Sequence, residues 1–294
     1  MKSALGTDML LVWKRQKEKV FLVLATLALL FSLVVLFTLI IDAFLDGLPR
    51  LNLKFLTSFP SRKPEEAGIL PAMVGSIYVT VLTTLFAIPL GVGSAVYLEV
   101  YAPKNRLSAA IESSIATLGG VPSIIYGMLG LELFARVLQL GRSLLTGALT
   151  LALLVLPIVI VSTRESLRAV PQSLWEAALA LGATRWQALK DQILPVAFPG
   201  ILTGIILTVS RAIGEAAPLI MIGALTYVAF LPRGVLSPFT TLPIQIFNWV
   251  SRPQKAFHAN AAAGIIVLLA ITLSLNALSI VLRNRLEKRA PRTL

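Results

Sequence analysis

Apolar stretches alternate with shorter polar segments along the whole chain of 294 residues. Six of these stretches are long enough to cross a hydrocarbon core, which takes roughly 20 apolar residues in a helix. The pattern predicts an all-α, polytopic membrane protein with six transmembrane helices, because a spanning segment must pair its own backbone groups. The six stretches are 20–41, 67–98, 113–131, 143–163, 200–231 and 259–282.

Prolines and glycines inside the stretches predict departures from a straight helix. The 67–98 stretch is too long for one straight span, and Pro89, Gly91 and Gly93 indicate a break or a kink near its inner end. The run GGVP at 119–122 predicts an interruption of the third stretch. A membrane tolerates such irregular backbone only where it faces protein or a cavity.

The polar segments contain further local signals. The outer segment 232–258 includes the run LPIQIFNWV, which predicts a short helix, and its Phe247 and Trp249 indicate an aromatic belt at the membrane surface. Glu132 and Arg136 are four residues apart, which predicts a local ion pair.

Composition excludes several classes of protein. The chain is 56% hydrophobic with a mean hydropathy of +0.84, which a water-soluble domain would not tolerate. The net charge of +12 does not indicate nucleic-acid binding, because the charges cluster at the ends of the apolar stretches. The lack of cysteine excludes disulfides, and a single histidine, His258, excludes a histidine-based metal site. The chain contains no GxxxxGK[ST] run, so we do not expect it to hydrolyse ATP.

The distribution of lysine and arginine predicts the orientation. With the N-terminus inside, the inner segments hold 16 of these residues and the outer segments hold 9. The positive-inside rule then places both termini in the cytoplasm. We divide the chain into a basic N-terminal segment with the first span and an outer loop (1–65), a core with five spans (66–285) and a basic cytoplasmic tail (286–294).

The longest polar interruption in the second half of the chain, 171–200, predicts two short helices hinged at a glycine. Pro171 suits the first turn of a helix, and Gly182 suits the left-handed residue that follows one. Thr184 and Gln187 have the spacing of a capping box, which starts a second helix. Such an element between two spans is typical of a docking surface.

This segment resembles the EAA loop of ABC-importer permeases. The resemblance lies in residues at the family's spacing, namely Glu176, Ala177, Ala178, Gly182, Leu194 and Pro195. One departure is Gln192, where the family usually has isoleucine. The resemblance implies a cytoplasmic loop, 164–198, that sits in a groove of a separate ATPase and passes its motion to the membrane helices. The alternative is a membrane-surface helix with Trp175 and Trp186 at the headgroups.

Two charges interrupt the fifth stretch. Arg211 and Glu215 are four residues apart, on one face of a helix. A charge at mid-membrane costs about 2.5–3.5 kcal/mol on insertion scales, so such residues usually face a bundle interior or a wet cavity. The guanidinium fork of arginine suits phosphate or carboxylate oxygens. The alternative is a structural ion pair that lets the helix insert.

Three runs resemble the PstA-type permeases of phosphate importers, in the same order and over about residues 70 to 285: GVPSIIYG (120–127), SRAIGEAAPL (210–219) and LPIQIFNWVSRP (242–253). The resemblance implies an ABC importer permease (MetI-like) fold and associates Arg211 and Glu215 with phosphate passage. It also implies several partners. They are a second permease of the PstC type, a homodimeric ATPase of the PstB type that binds ATP and magnesium, and a periplasmic phosphate-binding protein of the PstS type.

The resemblances imply a non-enzymatic subunit in the bacterial inner membrane, without a cofactor or metal of its own. Close alternatives are the sister permease of the same complex and a permease for sulfate or molybdate, which share the EAA loop. An ion-coupled anion carrier or channel would transport without ATP, and the EAA loop argues against it. A membrane enzyme would need a catalytic cluster, which one histidine and scattered carboxylates do not supply.

Overall fold

The computed structural model describes residues 2–224 and 227–289, and all regular elements in these residues are helical, as predicted. Short π-helical segments follow α3 and α5 and precede α9. The α-helices are α1 (Lys2–Gly47), α2 (Leu53–Thr57), α3 (Leu70–Val96), α4 (Arg106–Leu118), α5 (Ser123–Gly130), α6 (Leu144–Arg168), α7 (Gln172–Ala180), α8 (Arg185–Ala188), α9 (Leu194–Gly214), α10 (Ala217–Ile222), α11 (Leu242–Val250) and α12 (Ala256–Arg289).

Five helical stretches in the described residues are long and apolar enough to cross a membrane, and α4 with α5 makes a sixth if this bent pair is one span. Helix α4 ends at Leu118, and α5 starts at Ser123 after a bend of 104°. The predicted interruption at 119–122 is therefore confirmed. Pro122, with extended backbone at φ −55° and ψ 134°, is the N-cap of α5. Its ring restricts the preceding residue to non-helical backbone, so α4 cannot continue into α5.

Helix α3 passes through Pro89 without a break and continues through a π-helical segment to Tyr101. The predicted break near Pro89 is therefore absent, and the alternative, a kink, stays a prediction. The helix packs along α6, where Ala87 shares a core cluster with Val155 and Gly91 lies against Val159. Neighbouring helices of this kind allow a membrane helix to tolerate an internal proline.

The fifth span ends at Gly214, so the predicted stretch 200–231 is interrupted at Glu215, one of the two charges expected to interrupt it. The backbone of Glu215 is extended, at φ −77° and ψ 117°, and the short helix α10 follows. Pro218 gives the physical reason. In a continuous helix it would lack a hydrogen bond to the carbonyl of Gly214, four residues earlier, and would clash with that carbonyl.

Helix α11 confirms the predicted short helix, but it does not form an aromatic belt. Trp249 is only 1% exposed, and its ring centroid lies 5.8 Å from that of Phe55. The helix packs against α3 and α12, so one face is buried and Phe247 on the other face is exposed. Burial in the core thus replaces the predicted surface position of Trp249.

Helix α1 lies mostly outside this packing. In its most apolar 18-residue window, all of which is described, no residue is buried. Its C-terminal end packs against α12, where a Cβ on Gly47 would lie 2.7 Å from the backbone of Ala262. Three residues beyond α1, the guanidinium of Arg50 donates to Asn260 Oδ1 of α12 at 2.6 Å and to backbone carbonyls between Pro64 and Ala67. The apolar flank of α1 therefore faces outward. The division at residues 65 and 285 stays a prediction, and residues 290–294 of the predicted tail lie outside the described part.

Candidate functional site

The EAA-like loop (164–198) folds as two short helices around a left-handed glycine. Gly182 has φ +84°, as predicted. The capping box is also confirmed, because the backbone N–H of Gln187 donates to Thr184 Oγ1 at 3.3 Å and the backbone N–H of Thr184 donates to Gln187 Oε1 at 2.8 Å. Pro171 is the N-cap of α7, one position before the predicted first turn. These local contacts fix the turn between α7 and α8.

An apolar cluster packs the loop against the adjoining ends of α6 and α9. Leu167 and Val170, at the C-terminal end of α6, pack with Leu189 and Ile193 just before α9. Trp175 is partly buried against the same cluster, while Trp186 is exposed. This placement of Trp175 against the protein's own core argues against a surface helix with both tryptophans at the headgroups.

Small residues leave a groove between α7 and α8. Its volume is about 260 Å³, and Ala177, Ala178, Ala183 and Ala188 are among the residues that line it. Leu181 at its edge is 90% exposed. Among the residues of the EAA resemblance, Glu176, Ala177 and Gly182 are exposed, whereas Ala178 is buried. The loop therefore presents an open apolar groove, which suits docking of a protein partner.

Leu194 and Pro195 do not lie in the irregular part of the loop, because they open helix α9. Pro195 stands in the first turn of α9, where its missing N–H would be unpaired in any case. Residues 176–178 of the EAA resemblance thus lie in α7, and Leu194 and Pro195 lie in α9. Gly182 lies between them in the sequence, as do Leu189 and Ile193 of the apolar cluster.

Arg211 and Glu215 form an ion pair at the end of α9. Arg211 Nε lies 3.2 Å from Glu215 Oε1, with Arg211 in the last turn and Glu215 just beyond it. The side chains are 49% and 17% exposed, respectively. Ala212 and Ile213 are buried, and Leu207, one turn before Arg211, is exposed. The arginine therefore lies on a face of α9 that this subunit leaves open.

Two of the three PstA-like runs meet in space. The Cα of Pro218 in α10 lies 2.7 Å from the position that a Cβ on Gly127 of α5 would take. The third run approaches from another side, where Leu242 at the start of α11 and Ile213 of α9 line one apolar cavity of about 370 Å³. The Arg211–Glu215 pair is thus followed directly by a helix that packs against the bent α4–α5 pair.

Sequence reasoning missed an ion-pair network between α6 and the segments around α4, formed by Glu99, Glu112, Arg164 and Arg168. Arg164 Nη2 lies 2.7 Å from Glu112 Oε1, and Arg164 Nε lies 3.2 Å from Glu99 Oε2. Arg168 Nε lies 3.0 Å from Glu99 Oε1. The i,i+4 spacing of Arg164 and Arg168 places both on one face of α6. Glu99 and Glu112 are more than fifty residues away in the sequence, so the spacing does not reveal these contacts. By contrast, the local pair Glu132–Arg136 was predicted and is present at 2.7 Å.

Comparisons with known proteins agree with this architecture. Residues 87–291 match the family described as binding-protein-dependent transport system inner membrane component. The probable ABC transporter permease protein YqgI of Bacillus subtilis is 34% identical over 247 residues, which are 79% of this chain and 84% of the relative. The phosphate transport system permease protein PstA of Yersinia pestis is 31% identical over 268 residues, 91% of this chain and 90% of the relative.

Solved structures confirm the fold. A chain of the bacterial alginate ABC transporter, solved with an alginate pentasaccharide-bound periplasmic protein, has a TM-score of 0.67 at 15% identity and covers 96% of this chain and 98% of that chain. The inward-facing MetNI methionine ABC transporter gives 0.60 at 18% identity over 72% of this chain and 93% of that chain. The expected ABC importer permease (MetI-like) fold is therefore confirmed. With the sequence matches, these findings show that the chain belongs to the family of inner membrane components of binding-protein-dependent transport systems.

Proposed function

We propose that this chain is the transmembrane permease subunit of an ATP-driven importer of inorganic phosphate in the plasma membrane of a bacterium. The similarity to PstA proteins of Yersinia pestis and Haemophilus influenzae, which extends over about nine-tenths of this chain, supports phosphate as the substrate. The chain forms the translocation path with a second, PstC-type permease. A periplasmic PstS-type protein delivers phosphate to the outer face.

The single observation that carries the proposal is the half-exposed guanidinium of Arg211 at the open end of α9. A charge on a membrane helix is costly unless it serves a wet path or a partner. Arginine presents several N–H donors in a planar fork, which matches two oxygens of a phosphate. Arg211 therefore attracts the anion to the path between the two permeases.

Glu215 gives the site a modest affinity. Its carboxylate oxygen Oε1 already lies 3.2 Å from Arg211 Nε, so an arriving anion must compete with it for the guanidinium. A transport site must also release its ion, and binding that is too tight would stop transport. The ion pair thus has both a structural and a transport role, because it neutralises the arginine until phosphate arrives.

ATP hydrolysis takes place in a separate, homodimeric PstB-type ATPase that binds ATP and magnesium. The groove between α7 and α8 and the exposed Leu181 supply an apolar docking surface for that subunit. The apolar cluster beneath the loop joins it to α6 and α9. Movement of the ATPase then reaches the membrane helices through Glu176, Ala177, Ala178, Gly182, Leu194 and Pro195.

The test is phosphate uptake by cells that carry Arg211→Ala, with assembly checked by co-purification of the other subunits. We expect normal assembly and a loss of uptake of about tenfold or more, because a charged hydrogen bond is worth about 1.5–3 kcal/mol. Arg136→Ala is the matched control. It removes another arginine from an i,i+4 ion pair, at 2.7 Å, but on an exposed surface, and should leave uptake unchanged.

Three other outcomes would contradict the proposal. Loss of assembly in Arg211→Ala would make the ion pair purely structural. Normal phosphate uptake in this variant would remove Arg211 from the path, and uptake of sulfate or molybdate would then be measured. Transport that persists without the ATPase subunit would instead favour an ion-coupled carrier.

A further inference from the structure

Helix α4 contacts the rest of the subunit along one narrow stripe. None of its residues, all of which are described, is buried. Only Ser108, Glu112 and Ile115 are partly covered, and their spacing places them on one face of the helix. Glu112 lies at the centre of this stripe. The position of α4 in the subunit therefore depends strongly on the contact that Glu112 makes.

Glu112 contacts Arg164 of α6, whose side chain is only 9% exposed. A buried arginine needs partners, and Arg164 has Glu112 at 2.7 Å and Glu99 at 3.2 Å. Arg164 lies one turn before the C-terminal end of α6. At that end, Leu167 belongs to the apolar cluster that anchors the EAA-like loop. Arg164 thus lies at the start of the loop and links it to α4.

Contacts continue from α4 towards the Arg211–Glu215 pair. The hydroxyl of Tyr126 in α5 donates to the carbonyl of Leu118 at the end of α4, at 2.8 Å. Helix α5 in turn packs against α10 at Gly127 and Pro218. The described residues therefore form a continuous series of contacts from the EAA-like loop, through Arg164 and Glu112, to the helix that follows Glu215.

We propose that Arg164 and Glu112 are positioning residues for transport, and that their ion pair transmits movement of the EAA-like loop to the bent α4–α5 pair. The inference rests on the proposed coupling to an ATPase. When α6 moves with the loop, the Arg164–Glu112 contact carries α4 along and shifts α5 and α10. Without the contact, ATP hydrolysis proceeds while the path beside Arg211 stays unchanged.

The test is the ratio of phosphate taken up to ATP hydrolysed, measured in proteoliposomes with the complete complex and its binding protein. In Glu112→Gln we expect ATP hydrolysis within about twofold of wild type and a ratio at least about fivefold lower, the lower end of typical coupling between sites. A merely structural role would reduce the amount of complex, and hydrolysis and uptake would fall together. An unchanged ratio would overturn the inference.

The matched control is Glu132→Gln. Glu132 also binds an arginine at 2.7 Å, but both side chains are exposed and the pair is local in sequence. The ratio should stay at the wild-type value. If Glu132→Gln lowers the ratio as much as Glu112→Gln does, the effect is not specific to the Arg164 contact and the inference fails.

A covalent rescue tests the same contact independently of Glu112→Gln. The chain has no cysteine, so Glu112→Cys with Arg164→Cys can be joined by a short thiol cross-linker without background. We expect cross-linking to raise the ratio towards the wild-type value, whereas each single cysteine variant stays low. A ratio that stays low after cross-linking overturns the inference. A wild-type complex that takes up no phosphate refutes the proposed function instead.

Discussion

Single residues set how closely α6 and α9 approach. A Cβ on Gly204 would lie 2.3 Å from Ser162 Oγ, and a Cβ on Gly200 would lie 2.7 Å from Ser166 Oγ. Glycine and serine at such positions let two membrane helices pack closely, which stabilises them through dispersion contacts. The two glycines therefore allow close packing of α6 against α9, and the side chains opposite them are serines.

We predict that Gly204→Ala destabilises the protein by about 1–3 kcal/mol, the usual cost of overpacking. Thermal unfolding in detergent, followed by the fluorescence of the four tryptophans, measures the change. Adding Ser162→Gly should recover most of the loss, because it removes the atom that the new methyl group meets. Gly93→Ala is the control, since nothing lies within 4 Å of its Cβ position. An equal loss in Gly93→Ala would contradict this explanation.

At the scale of elements, the turn between α7 and α8 depends on the backbone of Gly182. Its φ of +84° is a conformation that side chains with a Cβ rarely adopt, and nothing lies within 4 Å of its Cβ position. A substitution there therefore acts through the backbone alone. We predict that Gly182→Val weakens co-purification of the ATPase, because the strain, about 1–2 kcal/mol, disturbs the groove between the two helices.

Gly141 provides the matched control for this prediction. It has φ +64° and open space around its Cβ position, but it precedes α6 at the other end of that helix. Gly141→Val should strain the backbone to a similar degree and leave ATPase binding intact. If both variants lose the ATPase equally, the loss reflects general destabilisation and not the turn of the EAA-like loop.

Elements with local signals were predictable from the sequence, and elements set by distant contacts were not. The capping box of Thr184 and Gln187 and the break at Pro122 depend on neighbours within a few residues. The ion-pair network around Arg164 joins that residue to Glu99, 65 residues earlier in the sequence, and no spacing rule predicts such a contact. Trp249 was misplaced for the same reason, because its burial depends on Phe55.

At the scale of the whole molecule, the bent α4–α5 pair decides the topology. If the pair crosses the membrane, the four crossings before α7 place the N-terminus and the EAA-like loop on the same side. If it re-enters on the side where it began, the crossings before α7 fall by one and the loop lies opposite the N-terminus. Length and composition allow up to six spans, and the positive-inside count of 16 against 9 assumes a crossing.

We predict that the pair crosses and that its two ends lie on opposite sides of the membrane. Single cysteines at exposed positions of this cysteine-free chain test it: Lys104→Cys before α4, Leu138→Cys after α5, and Leu181→Cys in the EAA-like loop. Cells that lack the ATPase subunit are used, because Leu181 lies in the proposed docking surface. An impermeant maleimide should label Leu138→Cys in intact spheroplasts, and the other two only after permeabilisation. Labelling of Leu181→Cys from outside would contradict the orientation and, with it, docking of an ATPase on the loop, because ATP is available only in the cytoplasm.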